Sequence, residues 1–193
     1  MFNIIVCMDQ NYSIGCNGKL LYHIKEDLVR FKDLTMNSVV IMGSKTLLSL
    51  PNSQPLKYRR NIVLTNNKEL SKKYPKFTLS STNPILFTDD FEKIIKKYKY
   101  IEQQLWIIGG ASIYKQFEEH CARLFITDVI TRHPKEADTF FKPNFDLWVL
   151  EEQSDSFVLN SNTMYNYKTY YNPNIIKGGN LIEEEGEDSC TSA

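Results

Sequence analysis

Short apolar runs separated by polar segments carrying glycine or proline recur along most of the chain, a pattern of strands alternating with short helices. Phe2–Met8 is an almost unbroken apolar run, which suits a central strand buried on both faces. Ser38–Met42, Asn61–Thr65, Leu105–Ile108 and Leu124–Ile130 read the same way, and Phe77–Leu79 and Ile85–Phe87 read as shorter strands. Ile24, Leu28, Phe31 and Leu34 instead recur at helical spacing and predict a helix over Ile24–Thr35. Further helices are predicted over Lys45–Leu50, stopped by Pro51, from a cap at Asp89 or Asp90 to Tyr98, and over Ala111–His120.

Asp9–His23 has no sustained period and holds Asn, Ser and Gly, so it reads as a long loop. Loops of that length in compact domains tend to be functional lids. Trp148–Leu159 and Thr163–Tyr171 alternate around a turn at Asn160–Asn162, as an antiparallel hairpin does. The expected architecture is α/β: a single domain over residues 1–173, with a mostly parallel central sheet, an antiparallel C-terminal hairpin and flanking short helices.

Charge changes this picture only at the end of the chain. The formal net charge is zero, yet residues 174–193 hold five acids (Glu183, Glu184, Glu185, Glu187, Asp188) against Lys177 alone. Residues 1–173 therefore carry 22 basic and 18 acidic side chains, an excess that suits small anionic ligands and is too weak for nucleic acid. The tail lacks aromatics and any apolar period and is expected to be disordered. No apolar run approaches the roughly 20 residues that span a bilayer, and the start MFNIIVCMDQ has no basic leader. Cys7, Cys16, Cys121 and Cys190 show no CxxC pair and no companion histidine, which argues against a disulfide framework or a metal site and for a cytoplasmic setting.

Three constellations carry chemistry. A buried strand followed by Gly43-Ser44-Lys45-Thr46 and a helix is a recurrent phosphate-binding arrangement, because free N–H groups at a helix start attract anions; it is also a common plain turn. Trp106-Ile107-Ile108-Gly109-Gly110-Ala111-Ser112-Ile113-Tyr114 repeats the arrangement. Neither is a P-loop or a Rossmann fingerprint, but two such junctions on parallel strands place two helix starts at one sheet edge. Asp27 lies three residues after Ile24 and four before Phe31, so it shares the apolar face, away from Lys25, Glu26, Arg30 and Lys32. A carboxyl placed there should have a raised pKa. Cys7 has no base beside it and reads as a small buried residue, and His23 as an exposed lid residue.

Several segments, in order, resemble dihydrofolate reductase. They are Val6 to Lys32 with Ile14-Gly15, Asn17-Gly18-Lys19-Leu20 and Asp27-Leu28-Val29-Arg30-Phe31-Lys32; Val40-Ile41-Met42-Gly43 with Thr46; Arg59 to Thr65; Ile108 to Tyr114; and Ala137-Asp138-Thr139-Phe140-Phe141. The resemblance covers residues 2–171 and implies NADPH as cofactor and dihydrofolate as substrate. It implies that Asp27 holds the pterin and promotes protonation at N5, with Thr127 bonded to Asp27. Phe31 would pack on the benzoyl ring, Arg59 would clamp the glutamate carboxylate, and Ile5, Cys7, Leu28, Leu50, Leu56 and Ile108 would form apolar walls. The carbonyls of Cys7 and Ile14, beside Gly15, would orient the nicotinamide, with Tyr114 alongside. Gly43, Ser44, Lys45 and Thr46, with Gly109, Gly110, Ala111, Ser112 and Ile113, would cradle phosphates, and Leu64, Thr65 and Asn66 would lie near the adenosine. The Gly109–Gly110 peptide would be cis.

Two departures stand out. Leu21-Tyr22 replaces the family's usual Pro-Trp, which makes Tyr22 the counterpart of a residue at the pterin edge and, with Asp27, a candidate catalytic residue. Ser44 replaces a residue that is commonly basic, which bears on the preference for NADPH over NADH. Some relatives are fused to thymidylate synthase, which brings in that enzyme as an associated partner. A pyrimidine reductase of riboflavin synthesis and a folate- or nucleotide-binding module without turnover are the alternative readings. Asp27, Phe31 and Arg59 argue against the first of these.

Overall fold

A computed structural model describes residues 1–101 and 103–176. β1 (Phe2–Asp9) is buried at seven of its eight positions, as its apolar run requires. It lies between two parallel neighbours, β7 (Leu105–Ile107) and β8 (Cys121–Thr131). Beyond β7 the sheet continues in parallel through β4 (Val39–Gly43), β5 (Arg60–Leu64) and β6 (Ile85–Thr88). On the other side of β8, β12 (Thr163–Tyr171) runs antiparallel and pairs with both β10 (Val149–Gln153) and β11 (Phe157–Asn160). The expected hairpin is thus present, with its first arm split into two strands that share one partner.

The helices are short: α1 (Lys25–Thr35), α2 (Ser44–Ser49), α3 (Lys68–Ser71), α4 (Pro75–Thr78), α5 (Phe91–Tyr98), α6 (Ala111–Phe117) and α7 (Pro173–Ile176). Asp90 caps α5 by accepting from the Lys93 N–H at 2.8 Å. Ile4, Ile41, Ile62, Leu105 and Ile107 pack with Phe117 of α6 in one core layer. Val40, Met42, Val63 and Trp106 point to the opposite layer, as alternation along a strand dictates.

The structure corrects three expectations. Phe77–Leu79 is not a strand: Pro75 opens a helical turn there, its missing N–H costing nothing at a helix start, and Leu79 is exposed. Asp9–His23 contains β2 (Ser13–Cys16) and β3 (Lys19–Leu20), and β2 pairs with β9 (Thr139–Phe140). A helical turn not expected from the pattern, Lys68–Ser71, is capped by Asn67 accepting from the Glu69 N–H. Arg30 is partly buried and does not lie on the outer face of α1. Chain past residue 173 begins with the turn of α7, and 177–193, which hold the acidic cluster, lie outside the described residues. No helix among the described residues is long and apolar enough to cross a membrane.

Candidate active site

The parallel strands end on one edge, and the chain following β1, β4, β5 and β7 surrounds a cleft of about 980 Å³. Cys7, Ile14, Gly15, Gly43, Ser44, Lys45 and Thr46 line it, together with Leu64, Thr65, Asn66, Ile108 and the Gly110–Tyr114 segment. Gly109 stands behind this lining. Its carbonyl accepts the Gly43 N–H at 2.8 Å, which ties the two glycine junctions together. The Gly109–Gly110 peptide is cis. Gly109 has φ +104°, where a side chain is strained, and a Cβ there would meet the Tyr114 ring at 3.0 Å. A Cβ on Gly43 would stand 3.1 Å from Ile113, so the junctions present backbone to the cleft, as a phosphate cradle needs.

Tyr114 stands at the border of core and cleft. It is a core residue against Phe141, with ring centroids 4.8 Å apart, and it also lines the cleft. Its hydroxyl donates to the Ile5 carbonyl at 2.9 Å, and burial pushes its pKa up.

Next to the cleft, α1 brings Asp27 against β8. The Thr127 hydroxyl donates to Asp27 Oδ1 at 2.5 Å, and Oδ2 accepts no hydrogen bond among the described residues. Burial raises the Asp27 pKa; the Thr127 hydrogen bond and the Arg30 charge pull it back. Ile5 is buried in a cluster against which Leu50, Leu56 and Ile108 pack, together with Phe31, so these four expected wall residues share one apolar surface, while Cys7 packs against a different cluster and Leu28 is half-buried on α1. Cys7 is partly buried; burial, then the charges of Asp27, Asp9 and Asp128, hold its thiol well above the ordinary range. That leaves little thiolate for a nucleophilic role. His23 is exposed.

Arg59 is buried rather than at the surface. Its Nε donates to Thr35 Oγ1 at 3.2 Å, Nη1 to the Lys57 carbonyl at 2.8 Å and Nη2 to the Lys32 carbonyl at 3.0 Å. These bonds fix the fork against the C-terminal turn of α1 and leave one N–H on each terminal nitrogen without an acceptor among the described residues.

Tyr22 is also buried, but its hydroxyl donates to Asp9 Oδ2 at 3.0 Å and its pKa is pushed up to about 12, by burial first and by that bond second. The other oxygen of Asp9 accepts from the Asn11 and Ser13 N–H groups. Lys135 donates to the Leu21 carbonyl at 2.9 Å and sits 4.9 Å from the centre of the Tyr22 ring.

Several cleft residues escaped the sequence reading. Gly18, Lys19, Leu20, Asp138, Thr139 and Phe140 all line it, because β2 and β9 pair across the lid. Asp138 accepts the Asn17 N–H at 2.7 Å and its own N–H donates to the Gly15 carbonyl at 3.1 Å. The Asn17-Gly18 dipeptide was the available signal, since it marks a tight turn that brings β3 back onto β2.

Comparison with known proteins agrees with this geometry. The family model described as dihydrofolate reductase matches residues 1–172. A dihydrofolate reductase of Drosophila melanogaster is 34% identical over 150 residues, covering 72% of this chain and 78% of that protein. A bifunctional dihydrofolate reductase-thymidylate synthase of Paramecium tetraurelia is 31% identical over 97% of this chain, which spans only 38% of that protein. The structure of a dihydrofolate reductase from Enterococcus faecalis, complexed with NADP(H) and RAB-propyl, superposes with a TM-score of 0.72 at 25% identity, covering 89% of this chain and 96% of that one. With a family match over nearly all of the described residues and a matching fold, the chain belongs to the dihydrofolate reductase family.

Proposed function

We infer that the chain is an NADPH-dependent dihydrofolate reductase, an oxidoreductase of folate metabolism that converts 7,8-dihydrofolate to 5,6,7,8-tetrahydrofolate. NADPH, when bound, supplies the hydride. The observation that carries the assignment of roles is the Asp27–Thr127 pair, a carboxyl of raised pKa held by one oxygen with the other free, beside an apolar wall and next to a glycine-lined cleft.

Asp27 holds the pterin and stabilises positive charge at N5, so the site takes up the solvent proton that the reduction consumes. Thr127 fixes the orientation of that carboxyl. Ile5, Leu28, Phe31, Leu50, Leu56 and Ile108 exclude water, which strengthens the field of Asp27. Arg59 binds the glutamate carboxylate with the donors left on its fork. Gly43 to Thr46 and Gly110 to Ile113 hold phosphates, Leu64 to Asn66 border the adenosine, and the Cys7 and Ile14 carbonyls with Gly15 orient the nicotinamide. Tyr22 closes the pterin edge with its ring, and its hydroxyl serves the lid through Asp9.

The test is the loss of NADPH absorbance on adding dihydrofolate. Binding of both ligands without that loss would leave a non-catalytic module, and turnover of a ribosylamino-pyrimidine alone would leave the riboflavin-pathway reductase.

The phosphate assignment has its own check. Ser44→Arg places a cation at the cleft where Ser44 and Lys45 stand, and it should tighten NADPH more than NADH, because only NADPH carries the 2′-phosphate. Equal gains in measured affinity would put that phosphate elsewhere. A thymidylate synthase, separate or in the same polypeptide, is the partner favoured by the alignment with the Paramecium protein. The free thiols of Cys7, Cys16 and Cys121 favour a cytoplasmic setting.

A further inference from the structure

Arg30 follows Asp27 by three positions on α1, so the two side chains share a face of the helix. Its guanidinium carbon stands 4.4 Å from the centre of the Tyr167 ring and 5.8 Å from that of Phe125. Nη1 is buried without a hydrogen-bond partner, and Arg30 makes no salt bridge among the described residues. An aromatic face attracts a guanidinium without neutralising it, so this is a permanent positive charge held on the Asp27 face of α1. The other groups that face Asp27 are Thr127 on β8, Cys7 on β1, Tyr114 on α6, and Tyr165 and Tyr167 on β12. Glu152 on β10 also acts on Arg30. Among the described residues Arg30 is the cation that acts on Asp27, and Lys168 on β12 is paired with Asp128 at 2.6 Å.

We propose that Arg30 is a positioning residue of the reaction, its fixed charge held beside Asp27 by Tyr167 so as to set the pH above which the site no longer keeps the proton that the substrate takes up. The proposal rests on the reductase reading. The sign follows from electrostatics: the Asp27 charge favours that proton and a neighbouring cation disfavours it, so removing the cation must move the alkaline limb of activity upward. The direction of the Arg30 effect on the Asp27 carboxyl is the same.

The test compares Arg30→Met, which keeps an unbranched stem without charge, with Arg30→Lys, which keeps the charge. Two quantities are followed against pH: turnover of dihydrofolate, and the Asp27 carboxyl by carbon-13 NMR in the ligand-free protein. In the methionine variant both midpoints should rise by about one unit, the low end of what a neighbouring charge does to a carboxyl, and in the lysine variant both should stay near wild type. Unchanged midpoints in Arg30→Met overturn the proposal. So does an Arg30→Lys shift as large as the methionine one, since packing rather than charge would then be responsible. Arg30→Gln, neutral and polar, takes the place of the methionine variant should that one fail to fold. A shift of the Asp27 resonance in a protein that never turns over dihydrofolate would support the charge coupling and defeat the reductase reading instead.

Discussion

Asp27→Asn is expected to lower turnover at neutral pH by at least about a hundredfold, the lower range for general acid–base assistance. Asparagine keeps the shape of the side chain and can still accept the Thr127 hydroxyl, so the loss isolates the charge. Without that charge the substrate's N5 receives no electrostatic help, and the rate should climb more steeply than in wild type as falling pH protonates free dihydrofolate. NADPH affinity should stay nearly constant, because its assigned contacts lie at Gly43–Thr46 and Gly110–Ile113. Stability offers a second readout with a definite sign. The folded-state pKa of Asp27 is raised, so its ionised form costs stability above that pKa and costs nothing below the unfolded value. The asparagine variant should therefore melt no lower than wild type at neutral pH, and any gain should fade as the solution is acidified. Wild-type turnover with an unchanged pH profile would falsify the assigned role and return Asp27 to an ordinary acid at a helix start.

The parts of this molecule that the sequence made legible are those whose cause is local. β1, β4, β5 and β7 are nearly unbroken apolar runs because each is covered on both faces, and such runs have few other solutions. Asp27 was legible because helical spacing alone puts it with Ile24 and Phe31. What stayed hidden was decided by distant chain. β2 gains its second partner because Thr139 and Phe140 return to pair with Ser13 and Gly15, and nothing within Asp9–His23 announces that partner. Arg30 looks like a solvent-facing charge within α1; only Tyr167, far along the chain, supplies the face that draws it inward. Tyr22 shows the same logic in a polar key. A tyrosine in a lid invites a chemical role for its hydroxyl, but Asp9, itself committed to the Asn11 and Ser13 N–H groups, already accepts it. Phe77–Leu79 is the opposite case. There the local signal was present in Pro75, and two large apolar residues outweighed it.

Arg59→Leu should weaken dihydrofolate binding by about 1.5–3 kcal/mol, the range for hydrogen bonds to a charged group and roughly a tenfold to hundredfold rise in Kd. The reasoning starts from how the guanidinium is spent. Three of its five N–H donors go to Thr35 Oγ1 and the carbonyls of Lys32 and Lys57, which lock its plane and prepay the ordering of a long side chain. The two remaining donors sit one on each terminal nitrogen and are the ones the assigned role offers to the glutamate carboxylate. Leucine keeps much of the apolar stem and removes both the charge and the fork. The interior bonds are lost with it, so a lower melting temperature is expected alongside weaker binding, although Thr35 Oγ1 keeps its own bond to the Phe31 carbonyl at 2.7 Å. Stability and recognition are separated by the choice of ligand. A pteridine without the glutamate should bind the variant as well as it binds wild type, because a partly loosened but folded site still presents Asp27 and the apolar wall. Calorimetric titration of both ligands into both proteins measures the difference directly. Equal losses for the two ligands would remove Arg59 from the carboxylate site and leave it as a brace between α1 and β5.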